Sequence, residues 1–217
     1  MLRSNSRRAG ERFTATNTSL GQLIVTAYGI TPQQVSPLDP AIYEKYDVQA
    51  RADHPVTRRD MLPMLQALLA DRFRLGIRRE MREQSVYALV IDKRGDKRGP
   101  KLQMSKEDLP WTLSRARGNE QSSGRMIFEN ESMPDFAFAL STLVVVGRVV
   151  VDKTELTGSY DFKLNFAPPD RLSDPSTAQD APSIFTAVQE QLGLRLEAQK
   201  APVEFLVIEH VERASDN

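Results

Sequence analysis

Apolar residues along the first quarter of the chain recur at helical spacing. Leu20, Leu23, Ile24 and Ala27 lie three and four apart, which gathers them into one stripe, and Gly29 stands where a left-handed residue ends a helix. The run Ser19-Leu20-Gly21-Gln22 in front of the stripe reads as a capping box: the serine hydroxyl accepts from a first-turn N–H and the polar side chain three residues on reaches back. The same arrangement returns at Ser132-Met133-Pro134-Asp135, followed by Met133, Phe136, Leu140 and Leu143. A second helix is predicted after Thr57-Arg58-Arg59-Asp60, with Met61, Leu65, Leu68 and Leu69 on its apolar face. Its counterpart starts at Ser183, carries Ile184, Phe185, Val188 and Leu192, and closes at Gly193.

After each second helix the period drops to two, as in a strand with one face on the core and one in water. Phe73, Leu75 and Ile77 alternate with Arg72, Arg74 and Arg78. Leu194, Leu196 and Ala198 alternate with Arg195, Glu197 and Gln199. The runs Val86–Ile91 and Val203–Ile208 are almost wholly apolar, which predicts a closing strand in each half, covered on both faces. Short strands are also expected at Arg12–Thr16, around Gln34–Ser36 and at Asp47–Ala52, and again at Arg125–Glu129, Arg148–Asp152 and Tyr160–Phe166.

Landmarks of the first half return in order in the second. Asn17-Thr18-Ser19-Leu20 matches Asn130-Glu131-Ser132-Met133, and Tyr46-Asp47-Val48 matches Tyr160-Asp161-Phe162. Arg74-Leu75 matches Arg195-Leu196, and Val86–Asp92 matches Val203–Glu209. The spacings run from 113 to 121 residues, a drift of loop size. Fixed-period similarity of this kind marks duplication. The expected fold class is α+β, with two tandem β-α-β-β-α-β-β repeats, each packing two helices on a small mixed sheet. The expected organisation is a first repeat over 12–92, a polar basic linker over 93–124, and a second repeat over 125–212. Trp111 in the linker reads as its anchor on the body, the alternative being an exposed contact residue. A stretch of Pro, Ser and Asp from Pro168 to Pro182 reads as an exposed loop.

Composition narrows the function classes. Lys+Arg and Asp+Glu both number 29, and this balance argues against a nucleic-acid binder, which carries a basic excess. With no cysteine there is no disulfide, thiolate metal site or cysteine nucleophile. No apolar run reaches the 18 or so residues a membrane-spanning helix needs. Arg3, Arg7, Arg8 and Arg12 have no apolar segment behind them, so no signal peptide is expected, and a complete chain would stay in the cytoplasm. Composition sets neither ligand nor oligomeric state.

No nucleophile elbow, zinc-protease helix, phosphate loop, dinucleotide fingerprint or calcium loop occurs. His54 and His210 fall at non-equivalent points of the repeat and have no clustered acidic or histidine partners, so no metal site and no cofactor are expected. The one carboxylate grouping is Asp152, Glu155 and Asp161 within Val151–Asp161. It reads as strand, turn and strand, with Asp152 bonding turn N–H groups; the alternative is a hydrolase-like enzyme using Asp152 and Asp161. Candidate binding residues are Asp152, Lys153, Thr154, Tyr160 and Asp161 in that turn, with Arg74 and Arg78 from the arginine-rich strand. The arginines read either as an anionic partner site or as protection of an edge strand.

Phe13–Leu20, Ala27–Ile30, Met64–Phe73, Val151–Thr154, Leu156–Gly158 and Gln189–Leu194 together resemble the signature runs of a large paralogous family of soil bacteria, known only as a domain of unknown function. The element order of each repeat also resembles the short N-terminal domain of secretins and TonB-dependent receptors. The family resemblance implies an exported protein, periplasmic or extracellular, with a further N-terminal strand ahead of the part present here. Glu155 and Val149 stand where that family has Gly and Pro. It supplies no catalytic residues. The expectation is a non-catalytic extracytoplasmic binding or interaction module whose partner is an envelope protein or peptide.

Overall fold

The computed structural model describes residues 12–37, 39–53, 58–92, 102–105, 124–167 and 181–214. It is mixed α+β, with four α-helices among the described residues. The chain divides into two compact units. One comprises Met1–Gln84 with Pro202–Asn217, the other Ser85–Ala201.

In the first unit, β1 (Arg12–Ser19) pairs antiparallel with β3 (Lys45–Arg51). The register breaks between Ala15 and Thr18, where Asn17 adopts φ 51° and its N–H donates to Asp47 Oδ1 at 2.7 Å. An Asn tolerates this left-handed conformation better than most residues. Helix α1 (Leu20–Tyr28) follows directly: Ser19 Oγ accepts from Gln22 N, and Gly29 at φ 62° ends the helix. Helix α2 (Arg58–Phe73) carries Leu65, Leu69 and Phe73 on its buried side, one turn apart. These pack with Leu20, Leu23, Ile24 and Ala27 of α1 into one core, which Leu206 and Ile208 complete. The strand β2 (Val35–Ser36) runs parallel to the last strand of the chain, Val35 opposite Leu206.

The second unit repeats these devices. β6 (Arg125–Ser132) pairs antiparallel with β8 (Ser159–Asn165), and the register breaks between Phe128 and Glu131. Asn130 at φ 54° donates its N–H to Asp161 Oδ1 at 2.7 Å, as Asn17 does to Asp47. Ser132 caps α3 (Met133–Ser141) by accepting from Asp135 N, and Ser183 caps α4 (Ile184–Leu192) by accepting from Thr186 N. Gly193 at φ 68° closes α4. Phe128, Phe136 and Phe162 meet at centroid distances of 4.7–5.2 Å in the middle of the core. A short strand β5 (Gln103–Met104) lies on the other side of β8, and β7 (Val150–Asp152) runs parallel to residues 87–89.

The structure departs from the sequence expectation after each second helix. The alternating segment and the apolar run after each second helix were expected as two strands. They form one: β4 spans Gly76–Ile91 and β9 spans Leu194–His210. No Gly or Pro interrupts 77–85, so nothing stops the strand there. Phe73 belongs to α2, its burial on the helix face mimicking the first step of the alternation. Each long strand starts in one unit and finishes in the other, with β4 changing units after Gln84 and β9 after Ala201. Val86–Ile91 therefore pairs with β7 in the second unit, and Val203–Ile208 with β2 in the first. The compact units do not coincide with the spans 12–92 and 125–212. Nor are the closing strands covered on both faces: Tyr87, Val90, Phe205 and Val207 stay half-buried. His54, the Thr57 cap, Trp111, nearly all of the linker and most of the loop from Pro168 lie outside the described residues.

Candidate functional site

The turn between β7 and β8 holds five of the candidate residues. Asp152, at the end of β7, accepts through Oδ1 from Thr154 N at 2.9 Å and from Thr154 Oγ1 at 2.8 Å. Thr154 Oγ1 in turn accepts from Leu156 N at 3.2 Å, and Thr154 is 3% exposed. Glu155 follows at φ 58° and Gly158 at φ 84°, the two left-handed steps that reverse the chain. Lys153 N donates to Leu89 O at 2.9 Å and extends the parallel ladder, while its side chain is exposed. Tyr160 is 1% exposed, and its hydroxyl donates to Thr157 O at 3.1 Å, pinning the far end of the turn. Asp161 Oδ1 is spent on the Asn130 bulge. In both aspartates an oxygen that an acid–base role would present to substrate holds backbone geometry.

Arg74 and Arg78 belong to the first unit. Arg74 is exposed at φ 47° and links α2 to β4. Arg78 sits in a network of opposite charges along β4 and β9. It bonds Glu80 at 3.3 Å and Glu209 at 3.2 Å, Arg79 bonds Glu204 at 3.2 Å, and Arg82 bonds Glu80 at 2.9 Å. Arg82 also lies 4.7 Å over the ring of Phe205 and donates to Ser36 Oγ. The hydrogen bond from Arg82 holds the Glu80 carboxyl below its ordinary value, reinforced by Arg78. The anionic-partner reading of these arginines drew on their charge alone, and the structure sets a carboxylate beside each of the three on β4. His210 pairs with Glu212 at 2.8 Å on the surface. Among the described residues no cluster of His, Asp and Glu has metal-ligand geometry, and no helix is long and apolar enough to cross a membrane.

A third feature emerges when the two antiparallel sheets are compared, and no single sequence motif announces it. β8 is covered on both edges, by β6 and by β5. The β5 edge is made by Ser105 N donating to Ser159 O at 2.8 Å, with Gln103 opposite Asp161 and Met104 opposite Tyr160. β3 stands at the equivalent place in the first unit, yet among the described residues it pairs with β1 alone. Glu44 O accepts from Leu20 N, so the even-numbered backbone groups turn toward β1. Alternation then turns those of Lys45, Asp47 and Gln49 outward. Burial follows this difference. Tyr160, Phe162 and Leu164 are buried, whereas Tyr46, Val48 and Ala50 are half-buried. The Tyr46 ring packs edge-on against Phe73 at 4.9 Å, and its hydroxyl donates to Glu44 at 2.9 Å. Desolvation, with that hydrogen bond, raises the hydroxyl above its ordinary value.

A family model described as a protein of unknown function (DUF3738) matches residues 21–211. No curated protein and no solved structure matches the chain.

Proposed function

The chain belongs to the family of proteins of unknown function DUF3738, and from that premise we propose that it is a non-catalytic binding module that takes up an extended peptide segment at the open edge of β3. The observation that carries this reading is the contrast between β8, whose outer edge β5 occupies, and β3, whose equivalent edge is open among the described residues. Strand addition draws affinity from backbone hydrogen bonds and specificity from alternate side chains. The module is a tandem duplication, each copy with an Asn-centred bulge held by an Asp and a Ser-capped helix behind it; the pairs Asn17–Asp47 and Asn130–Asp161 support this. It works outside the cytoplasm on an envelope protein or peptide, a placement that rests on the sequence resemblance to an exported family. The hydrolase-like alternative has nothing in its favour beyond the presence of Asp152 and Asp161, and Asp152→Asn would leave binding intact.

The test is to select unstructured peptides on the purified chain and measure binding by fluorescence anisotropy, then replace each position of a bound peptide by proline in turn. Strand addition predicts loss of binding at every second position, where the peptide N–H is needed, with Kd in the micromolar range of about 1–100 μM. Uniform tolerance of proline, or no bound peptide in that range, overturns the reading.

A further inference from the structure

The open edge of β3 has a charge pattern that selects its occupant. Lys45, Asp47, Gln49 and Arg51 are exposed on one face, and the same residues turn their backbone groups outward. We infer that the segment seated on β3 is β3 of a second copy of this chain, paired antiparallel about a two-fold axis at Gln49. The inference rests on the strand-addition reading and adds to it the partner and the register.

Three two-fold registers keep outward-facing groups opposite one another and pair at least five residues of β3 (Lys45–Arg51) with the second copy. Centring on Asp47 sets Asp47 against its own copy. Centring on Val48 sets Lys45 against Arg51 of the second copy, two cations face to face, and repeats the clash by symmetry. Directly opposed like charges destabilise a strand pair. Centring on Gln49 sets Asp47 against Arg51 and Lys45 against Asp53, each pair occurring twice, so every opposed charge meets its opposite. The core-facing side follows suit. Val48 comes to lie opposite Ala50, and the half-buried Tyr46 gains a neighbour in Ala52. A two-fold contact is self-complementary by construction, and of these three registers the one centred on Gln49 satisfies that condition. The product is a four-stranded sheet in the order β1-β3-β3-β1, whose central strands are then covered on both edges as β8 is.

The experiment is sedimentation velocity on the full chain over a concentration series of about 1–500 μM. The expected result is a monomer–dimer transition within that range. Gln49→Pro removes one outward N–H and leaves the pairing with β1 alone, so it should hold the chain monomeric throughout. Arg51→Glu sets two carboxylates together twice and should shift the transition at least tenfold upward. Lys45→Glu should weaken the dimer, and adding Asp53→Lys should restore it, a rescue that a merely misfolded variant would not show. A wild-type chain that stays monomeric, or a dimer that survives Gln49→Pro, overturns the inference. If the chain stays monomeric and a selected peptide still binds and loses binding on Gln49→Pro, strand addition at β3 survives and only the partner is wrong. If neither dimer nor peptide is found, both fall.

Discussion

Single residues of this chain hold backbone positions that their chemistry alone would not explain. Glu155 sits at φ 58°, where a Cβ crowds the following carbonyl and costs on the order of 1 kcal/mol. Replacing Glu155 by Gly should therefore raise the free energy of unfolding by up to about 1 kcal/mol in urea titration, with the slope unchanged. The two aspartates at the bulges give a matched pair. Asp161→Ala removes the carboxylate that accepts from the half-buried Asn130 N–H and should cost about 1–3 kcal/mol. Asp47→Ala does the same to the exposed Asn17 N–H, which water can satisfy, and should cost less. Equal losses in the two variants would mean that the bulge bond is not what the aspartates contribute. Glu80 adds a pH term of definite sign. Its carboxyl is held below the ordinary value by Arg82 and Arg78, so the stability it contributes is present above the unfolded value. That contribution fades as pH falls through the folded one. Glu80→Gln should flatten the acid side of a stability–pH profile and leave the neutral region little changed.

At the scale of elements, the helices are the most independent pieces. Each stripe read from spacing faces a core: Leu65 is 4% exposed and Val188 is 0% exposed. Leu65→Ala should cost about 2–4 kcal/mol, and Val188→Ala, which deletes fewer atoms, somewhat less. Unchanged unfolding midpoints in both would sink the helix packing described above. Ser19, Ser132 and Ser183 each accept the first-turn N–H that the capping pattern predicts. These helices were legible because a serine cap, a 3.6-residue stripe and, in α1 and α4, a closing glycine are local features, all written within a dozen residues. The strands were legible as strands and misread in extent. An apolar run preceded by an alternating one looks the same whether a turn divides them or not. Whether a turn forms depends on what the middle residues pair with.

The whole molecule is where local reasoning stops. Each compact unit closes with a strand from the other half of the chain, β9 supplying Leu206 and Ile208 to the first core and β4 supplying Leu89 to the second. A fragment of residues 1–92 therefore lacks part of its own core. It should show no cooperative thermal transition by circular dichroism, and adding a peptide of residues 202–217 should restore one. A fragment that melts cooperatively by itself would show that the closing strands are dispensable. The candidate site has the same history. Asp152, Lys153, Thr154, Tyr160 and Asp161 do come together in one turn, as their spacing implied, because a short segment can fold back only within itself. Arg74 and Arg78 lie in the other unit, and Arg78 is engaged by Glu209 from a strand 131 residues away in sequence. That β3 pairs with β1 alone among the described residues was invisible for a further reason: a strand's sequence records what faces the core but not whether a neighbour lies beside it.

The sequence by itself determined the helices, the serine caps of α1 and α3 and the α+β class, since spacing, side-chain oxygens and backbone preference act over one or two turns of chain. Only the tertiary structure decided which strands close which core, which carboxylates Arg78 and Arg79 meet across the strands, and which edge has no partner among the described residues. Several of those outcomes turn on pairing between residues more than a hundred positions apart, as in Arg78 with Glu209, Arg79 with Glu204 and Val35 with Leu206. Backbone hydrogen bonds form between any two strands of compatible face, so the choice among partners belongs to the packed whole.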